Sequence, residues 1–474
     1  MRRLAFLLLI ALAPCGVAQP LPDLGGTGDS ALPLHTERRI GENIMRDIRR
    51  DPTYVDDAEV SEYLATLGAR LAQAAGGARH DFEFFAVRDG AINAFALPGG
   101  FIGVHTGLIT AAETESELAS VMAHEIAHVT QRHIARLLGQ QQQLQMPMMV
   151  ALAAAILLGR SRPDLGSGAA AAAQGIAAAS QLSYTRDFER EADRVGLQSL
   201  AGAGFEPRAM ASFFEKMQRQ QRVSDDGTVP GYLRTHPITT ERIADAQNKA
   251  ASLPYRQLLG STEFHLVRAK LRAEAGDPRD TVASLEAAVR EGRYASEAAA
   301  RYGVVHALLR VRKSKEAAAE MGRLRKTGAS GPMIEALAAR VTLAAGDAAG
   351  AASLLAEARQ RHPNSRPLVY AHVEALQEAQ RHNEALQALG EALRSYPRDQ
   401  RLYALQSRSY AALGKRLLQH QAQAEVYALQ GSLPAAIEQL QLARGAGDGD
   451  FYQLSVVDAR LRELRAQHAQ DSRK

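Results

Sequence analysis

The sequence predicts a mostly α-helical protein in two parts, an α+β domain with a small β-sheet followed by an all-α solenoid of helical repeats. Three observations predict this architecture. Apolar residues recur at helical spacing through most of the 474 residues. Residues 81–87 instead alternate in polarity, and residues 91–104 contain paired glycines, as in two strands joined by a tight turn. From about residue 262 the chain is rich in Ala, Leu, Arg and Glu, with a period of 34 residues.

The composition is that of a folded protein of two or three domains. Hydrophobic residues make up 46% of the chain, and 23% of the residues are charged with both signs mixed, which argues against disorder. The formal net charge is only +4, and the basic residues are spread along the chain rather than clustered. We therefore expect no nucleic-acid partner.

The first 18 residues have the pattern of a cleavable signal peptide. Two arginines precede an apolar run over residues 4–13, and small residues at 16–18 predict cleavage after Ala18. A leader would then occupy residues 19–35. Cys15, the only cysteine, would be removed with the signal. Its lipidation as a membrane anchor is the alternative, which the proline before it disfavours.

The predicted α+β domain spans residues 36–258. Its apolar patterns predict two helices and three strands, over residues 37–50, 57–75, 81–87, 91–97 and 101–104. Pro98, Gly99 and Gly100 would form the turn between the last two strands. The strand before this turn could pair with an extended peptide, or it could belong to a plain structural hairpin.

Two histidines lie four residues apart in His124-Glu125-Ile126-Ala127-His128, so they share one face of a helix and can bind one metal ion. Zinc bound in this way makes a water molecule more acidic, and Glu125 could take its proton and return it to a leaving amine. The pattern predicts a zinc-dependent peptide-bond hydrolase. The alternative is a buried helix with two core histidines.

A catalytic zinc site needs a third protein ligand, for which Glu189 is the best candidate. Glu189 and Asp193 are four residues apart and share a helical face, whereas Glu191 points elsewhere. Asp193 could orient a ligand histidine or help protonate the product. Taken alone, these acids among arginines would indicate a solvated, salt-bridged helix face.

A further histidine, His236, precedes a proline that stiffens the backbone. His236 could stabilise an oxyanion or cap the open metal position until substrate arrives, and Arg242 could serve the same oxyanion. The alternative for His236 is an exposed loop histidine. We expect His105 and His133 to be structural or surface residues.

Two segments of the first part are ambiguous. Residues 146–158 are apolar but only 13 in number, whereas a membrane span needs about 20 residues, and residues 166–179 are rich in Ala and Gly. These segments could form a mobile hairpin over the site, a membrane-surface contact or ordinary buried helices. No transmembrane helix is evident after the signal, so we expect a soluble protein.

The repeats are marked by small residues, by glycines and by prolines. An interval of 34 residues separates successive members of three sets, which are Ala283, Ala317, Ala351 and Ala385, then Gly346, Gln380 and Gly414, and also Pro363 and Pro397. A helix–turn–helix unit of this length, with Pro after its second helix, is the tetratricopeptide signature. The predicted repeat domain covers residues 262–474, with irregular first and last units. A generic helical bundle is the alternative.

Three motifs together resemble one family. Residues 93–100, 124–128 and 189–193 are similar to those of the zinc metallopeptidases that include HtpX and the CAAX prenyl proteases. The signal peptide and the repeats resemble a periplasmic branch of it. The resemblance implies a zincin-like fold and one Zn²⁺ per chain, with His124, His128 and Glu189 as ligands and Glu125 as general base.

The resemblance also implies roles for the remaining residues. Asp193 matches a presumed proton donor, and His236 matches a histidine that closes the resting site, with Arg242 just beyond. Substrate would bind along the edge strand, at Asn93, Ala94, Phe95 and Ala96. The segment over residues 146–179 would form a gate.

In such a branch the implied role is quality control of outer-membrane proteins in the periplasm. Misassembled β-barrel proteins would be degraded, and productive ones would be helped to assemble. The implied partners are unfolded or misassembled outer-membrane proteins and, through the repeats, the β-barrel assembly machinery, with a peripheral membrane contact left open. The rival hypothesis is a tetratricopeptide chaperone or adaptor with a latent or gated zinc site. A weaker one is a zinc hydrolase that does not act on peptides.

Overall fold

The computed structural model of the protein describes residues 32–76, 80–140, 186–223, 231–256, 258 and 260–471. The predicted signal peptide, most of the leader and the segments 146–158 and 166–179 lie outside these ranges. Among the described helices, none is both long enough and apolar enough to cross a membrane.

Before residue 258, helices surround a small sheet, as the sequence predicts. In chain order the elements are α1 (Leu34–Ile48), α2 (Ala58–Ala74), β1 (Glu83–Val87), β2 (Ala94–Leu97), β3 (Phe101–His105), α3 (Thr106–Ala111), α4 (Glu115–Thr130), α5 (His133–Gln140), α6 (Arg186–Gly202), α7 (Arg208–Val223), α8 (Gly231–Thr235) and α9 (Thr240–Ala251). The strand predicted from residue 91 begins only at Ala94. The Asp89 carboxylate accepts a hydrogen bond from the Ala91 N–H, which holds a bend there instead.

The sheet has the strand order β1–β3–β2, with β1 parallel and β2 antiparallel to β3. The turn between β2 and β3 uses glycine at two left-handed positions, Gly99 with φ of 80° and Gly100 with φ of 89°. β2 therefore lies at one edge of the described sheet, where its outer side is not paired with a strand. The segment predicted as an edge strand therefore lies at an edge of the described sheet.

Helix α4 runs through the centre of the first part. Its N-cap is Thr114, whose side chain accepts a hydrogen bond from the Glu117 N–H, and every residue from Ser116 to Val129 is buried. Helix α6 packs closely against α4 at Gly196, where a Cβ atom would lie 3.1 Å from the Cα of His124. Only a glycine allows this approach without a shift of one helix.

After residue 260 the chain is entirely helical among the described residues. The helices are α10 (Thr262–Glu274), α11 (Pro278–Arg290), α12 (Glu297–Arg310), α13 (Ser314–Lys326), α14 (Pro332–Ala344), α15 (Ala348–Arg361), α16 (Arg366–Glu378), α17 (His382–Ser395), α18 (Gln400–Ala412), α19 (Arg416–Leu429), α20 (Leu433–Gly445) and α21 (Phe451–Asp471). The predicted fold class, mostly α with a small sheet followed by helical repeats, is confirmed.

Two structural features recur with the period of the repeats, namely a buried alanine between paired helices and a turn residue with positive φ. Ala317, Ala351 and Ala385 are fully buried where paired helices touch, whereas Ala283 is exposed and Val282 is the buried residue of that irregular first unit. The second feature is the turn inside each unit. Gly346, Gln380 and Gly414 all have positive φ, and so does Arg312, which lies one period before Gly346. The sequence pattern did not reveal Arg312 because its side chain differs.

The two parts share one hydrophobic core, which includes Leu64 of α2 and both Phe264 and Val267 of α10. A buried ion cluster lies in the same junction, where the Lys270 ammonium of α10 contacts the carboxylates of Asp57 and Glu59. The predicted domain limits, 36–258 and 262–474, stay predictions. The shared core indicates that α10 helps to complete the packing of the first part.

We predict that Lys270→Met lowers the free energy of unfolding by about 3–5 kcal/mol, because Asp57 and Glu59 would keep their charges in the interior without a cation. Urea denaturation followed by circular dichroism measures this change. Lys249→Met removes an exposed lysine from α9 and should change the stability by less than about 0.5 kcal/mol. Equal effects of the two substitutions would contradict the prediction.

The same ion cluster predicts a pH range. Burial opposes both shifts, but the carboxylates raise the pKa of Lys270 and the Lys270 charge lowers the pKa of Asp57. The stabilisation is then lost only as the pH rises through the folded-state pKa of Lys270 or falls through that of Asp57. The difference between wild type and Lys270→Met should therefore stay constant from about pH 5 to about pH 9.

Candidate active site

Helix α4 brings two imidazoles and one carboxylate together. The Nε2 atoms of His124 and His128 lie 3.0 Å apart, and both rings and Glu125 are buried. The neighbours of the two rings include the carboxylates of Glu189 and Asp193, so the alternative of two histidines in an apolar core does not describe this site.

Glu189 reaches the histidine pair from α6. Its carboxylate oxygens lie 3.5 Å from His124 Nε2 and 3.4 Å from His128 Nε2. Two atoms that each lie about 2.1 Å from a tetrahedral zinc ion are about 3.4 Å apart, so this spacing fits a metal of that size. Two imidazoles and one carboxylate are also a donor set of catalytic zinc sites. The residues predicted as ligands therefore fit a divalent metal.

His236 completes a set of four potential ligands. One donor atom from each of His124, His128, Glu189 and His236 lies within 4.8 Å of the others. His236 Nδ1 is 2.9 Å from Glu189 Oε1 and 3.3 Å from His124 Nε2, while its Nε2 is 3.5 Å from Glu125 Oε1. The ring is buried, which contradicts the alternative of an exposed loop histidine.

Asp193 and Arg242 contact the potential metal ligands His124 and Glu189. Asp193 Oδ1 lies 3.0 Å from His124 Nδ1, on the far side of the ring from the other ligands. Arg242 donates two hydrogen bonds to Asp193, at 2.7 and 2.8 Å, and one to the carbonyl of Pro237, and its Nη1 also lies 2.7 Å from Glu189 Oε2. Since these contacts direct the guanidinium at carboxylates, they favour a positioning role for Arg242 over the oxyanion role that remains a prediction.

His128 has a supporting partner that the sequence did not indicate. His133 Nδ1 lies 2.9 Å from His128 Nδ1, and its Nε2 lies 3.2 Å from a Glu191 oxygen that also binds Arg136. His133 is fully buried, so it is not a surface residue. Its distance of five residues from His128, just beyond the end of α4, was the available signal. His105 is also buried but lies at the end of β3, with its Nδ1 4.0 Å from Asp89.

The buried charges shift the pKa values of the site. Burial lowers the pKa of His124, but hydrogen bonds with Asp193 and Glu189 outweigh it and raise that pKa to about 10. Burial opposes the shift of Glu189 as well, yet His236, His124 and His128 hold its pKa well below the usual range. The ionised carboxylates therefore require a buried positive charge, which a proton on His124 or a divalent cation can supply.

Glu125 differs from the other carboxylates because burial is its dominant influence. Burial raises its pKa, while His236, His124 and the nearby backbone N–H of Ala96 oppose the shift. Neither of its oxygens has a hydrogen bond of good geometry to another described residue. Glu125 is thus a carboxylate with free lone pairs beside the potential metal ligands.

Strand β2 contributes its backbone to the site. Asn93 O accepts a hydrogen bond from the His105 N–H, so the alternation of an antiparallel ladder turns the backbone groups of Ala94 and Ala96 away from β3. Ala96, partly exposed, faces Glu125, whereas Ala94 is fully buried. The Phe95 ring packs against Phe85 and His105 at centroid distances of 5.8 and 5.9 Å, so its side chain belongs to the core.

Comparison with known proteins agrees with this geometry. A profile described as peptidase family M48 matches residues 58–250, and a tetratricopeptide-repeat profile matches residues 342–409. The beta-barrel assembly-enhancing protease of Escherichia coli strain K12 is 32% identical over 458 residues, which cover 96% of this chain and 93% of that protein. The chain belongs to peptidase family M48.

Other relatives match smaller parts of the chain. The putative beta-barrel assembly-enhancing protease of Vibrio cholerae is 40% identical over 273 residues, 56% of each chain. The mitochondrial metalloendopeptidase OMA1 of Arabidopsis thaliana is 28% identical over 233 residues, 48% of this chain and 44% of that one. As a member of family M48, this protein is a metallopeptidase, and the family implies a divalent metal. The chain also carries a tetratricopeptide region.

We predict that Asp193→Asn weakens metal binding by about 10- to 100-fold, because the partner of His124 loses its charge. Competition with a chelator, followed by metal analysis, measures the affinity. Asp187→Asn is the matched control on the same helix. Its side chain is 89% exposed and, within the described ranges, forms an ion pair with Arg190, so metal affinity should not change. Loss of affinity in both variants would contradict the assignment.

Proposed function

We propose that this M48 metallopeptidase is a zinc-dependent endopeptidase of the periplasm that degrades misassembled outer-membrane β-barrel proteins and assists the assembly of productive ones. One observation carries the proposal. The buried set of His124, His128 and Glu189 lies beside Glu125, and Ala96 of the edge strand faces Glu125. A metal site, a base and a surface for an extended peptide are thus contiguous.

In the proposed reaction, Glu125 is the general base. A divalent metal held by His124, His128 and Glu189 would supply Lewis acidity, which would polarise the scissile carbonyl and make a water molecule more acidic. Glu125 accepts a proton from the attacking water and passes it to the leaving amine as the C–N bond breaks. The raised pKa of Glu125, caused by burial, supports both halves of this proton transfer.

Asp193 and Arg242 are proposed as positioning residues. Burial opposes the shift, but hydrogen bonds from His124 and Arg242 lower the pKa of Asp193, so this carboxyl has no proton to give at neutral pH. Its contact with His124 Nδ1 instead fixes the ring orientation that a ligand nitrogen requires. Arg242 links Asp193 to Glu189 and so holds both carboxylates at their distances from His124.

Substrate recognition is proposed to use the outward backbone groups of β2. An extended peptide that adds to this edge gains main-chain hydrogen bonds whatever its side chains are, which suits a protease that removes unfolded proteins. Ala96 would provide the contact nearest to Glu125. The predicted site residues Asn93, Ala94 and Phe95 would act through the strand that they form, since the Phe95 side chain lies in the core.

His236 is proposed to hold the resting site closed. Its Nδ1 lies close to both His124 Nε2 and Glu189 Oε1, where a fourth ligand would stand. A histidine in this position would compete with water and with the substrate carbonyl for a bound metal. Activation then requires the ring to move, while the neighbouring Pro237 restricts the backbone of His236.

The client proteins and the location are proposed from the relatives and the repeats. Relatives that align over almost the whole chain are named beta-barrel assembly-enhancing proteases. The tetratricopeptide region offers a surface for the β-barrel assembly machinery, and the predicted signal peptide would direct the chain to the periplasm. Zinc is proposed as the metal because the donor set fits it.

A second candidate function is a chaperone or adaptor that works mainly through its repeats. The position of His236 favours it, because a permanently closed site would leave the repeats as the functional surface. Glu125 separates the two candidates. A hydrolase needs a carboxylate beside the metal ligands that is free to accept a proton, as Glu125 is. A chaperone has no use for such a group.

We predict that Glu125→Gln abolishes cleavage of casein, with a fall of at least about 100-fold, because the amide cannot accept the proton of water. Metal content should stay at one ion per chain, since Glu125 is not among the proposed ligands. Peptide release and metal analysis on the same samples measure both quantities. Activity equal to that of wild type would leave the chaperone or adaptor as the better account.

We also predict that His236→Ala raises the rate of casein cleavage several-fold and leaves the three remaining ligands able to hold the metal. His35→Ala, at an exposed position of α1, is the control and should have no effect. Initial rates for the three proteins give the comparison. A decrease in His236→Ala would show that the ring acts on the oxyanion rather than as a closing ligand.

A further inference from the structure

Tyr232 is a buried residue of the site that the proposed mechanism does not use. It lies on α8, four residues before His236, and its side chain is 0% exposed. Its ring stacks on His236 with a centroid distance of 4.8 Å and an interplanar angle of 27°. The same ring contacts His124 at 6.3 Å and Phe213 at 6.2 Å. Tyr232 therefore forms part of the wall around the metal ligands.

The Tyr232 hydroxyl has no hydrogen-bond partner within the part of the chain that the structure describes. Buried tyrosine hydroxyls usually find a partner, so this one calls for an explanation. Both oxygens of Glu125 share the same property. His236, on which the Tyr232 ring stacks, has its Nε2 atom 3.5 Å from Glu125 Oε1. Tyr232 and Glu125 therefore both neighbour the His236 ring.

The backbone of Tyr232 is held independently of the His236 ring. Its N–H donates a hydrogen bond of 3.4 Å to the carbonyl of Ile92, just before β2, while its own carbonyl accepts one from the His236 N–H at 2.8 Å. The first of these bonds ties Tyr232 to the strand proposed to bind substrate. Movement of the His236 ring would leave that bond in place.

We propose that Tyr232 is a catalytic residue whose hydroxyl donates a hydrogen bond to the carbonyl oxygen of the scissile peptide once the His236 ring has moved away. The inference rests on the hydrolysis proposed above. The water oxygen bonds to the carbonyl carbon, and the π electrons pass to the carbonyl oxygen. Glu125 takes the water proton, and the phenol keeps its own proton throughout. The carbonyl double bond then re-forms as the C–N bond breaks, and the nitrogen receives the proton from Glu125.

Two features suit Tyr232 to this role. A phenol is protonated at neutral pH, since its ordinary pKa is about 10, so the buried hydroxyl is a neutral donor. Arg242, the other donor considered for the oxyanion, uses its Nε and both Nη atoms in contacts with Asp193, Glu189 and the Pro237 carbonyl. The Tyr232 hydroxyl, in contrast, is a buried donor without a hydrogen-bond partner among the described residues.

The test is Tyr232→Phe in the His236→Ala background, where opening of the site cannot limit the rate. Phe keeps the ring and removes only the hydroxyl. We expect kcat for casein cleavage to fall by about 10²-fold with KM, metal content and melting temperature unchanged. Tyr255→Phe, at a side chain that is 63% exposed, is the matched control and should keep the full rate.

Each other result overturns the assignment. Full kcat in Tyr232→Phe would show that the hydroxyl does not contact the reacting carbonyl. Loss of metal or a marked fall in melting temperature would show a structural role instead. Glu125→Gln is measured in parallel. If that variant cleaves casein as fast as its parent, the proposed hydrolytic mechanism has failed, which is a different result from failure of Tyr232 alone.

Discussion

The burial of charge around helix α4 is the constraint on which the rest of the structure depends. Every residue of this helix from Ser116 to Val129 is buried, yet the helix carries two imidazoles and a carboxylate in its middle. Such groups are tolerated in an interior only when partners compensate them. Those partners come from α5, α6, the residue after α8, and α9, so the site exists only where these elements meet.

The close packing of α6 on α4 makes this compensation possible. Gly196 lets the two helices approach until a Cβ atom at this position would crowd the backbone of His124. Two turns earlier on α6, Glu189 then lies within 3.5 Å of both ligand histidines. Arg242 closes the arrangement from α9 by contacting Glu189 and Asp193 together. One small residue and one guanidinium thus set the distances between the potential metal ligands.

The repeats are joined to this centre through the start of α4. The Glu115 carboxylate, in the first turn, accepts hydrogen bonds from the Ser261 N–H and hydroxyl at 2.7 Å and from the Tyr63 hydroxyl at 3.1 Å. Ser261 is also the N-cap of α10, the first helix of the second part. The helix that bears the histidines and the helix that begins the repeats therefore share one anchoring point, and α10 also carries Lys270 of the ion cluster and residues of the common core.

The sequence by itself determined what depends on spacing along one element. The helical period predicts that His124 and His128 share a face and that Glu189 and Asp193 do so as well. The regular recurrence of alanines, glycines and prolines predicts the repeats, and the alternation with paired glycines predicts the β2–β3 hairpin. These features follow from local backbone geometry, which leaves a readable pattern along the chain.

Only the tertiary structure decided which elements meet. His133, Tyr232 and the two-carboxylate contact of Arg242 were not predicted, because each partner lies on another element and no periodicity connects them. The same holds for His236, whose sequence context allowed an exposed loop but whose ring lies buried between His124 and Glu189. Distances between elements are set by how closely helices pack, as at Gly196, and that packing is a property of the whole core rather than of any segment.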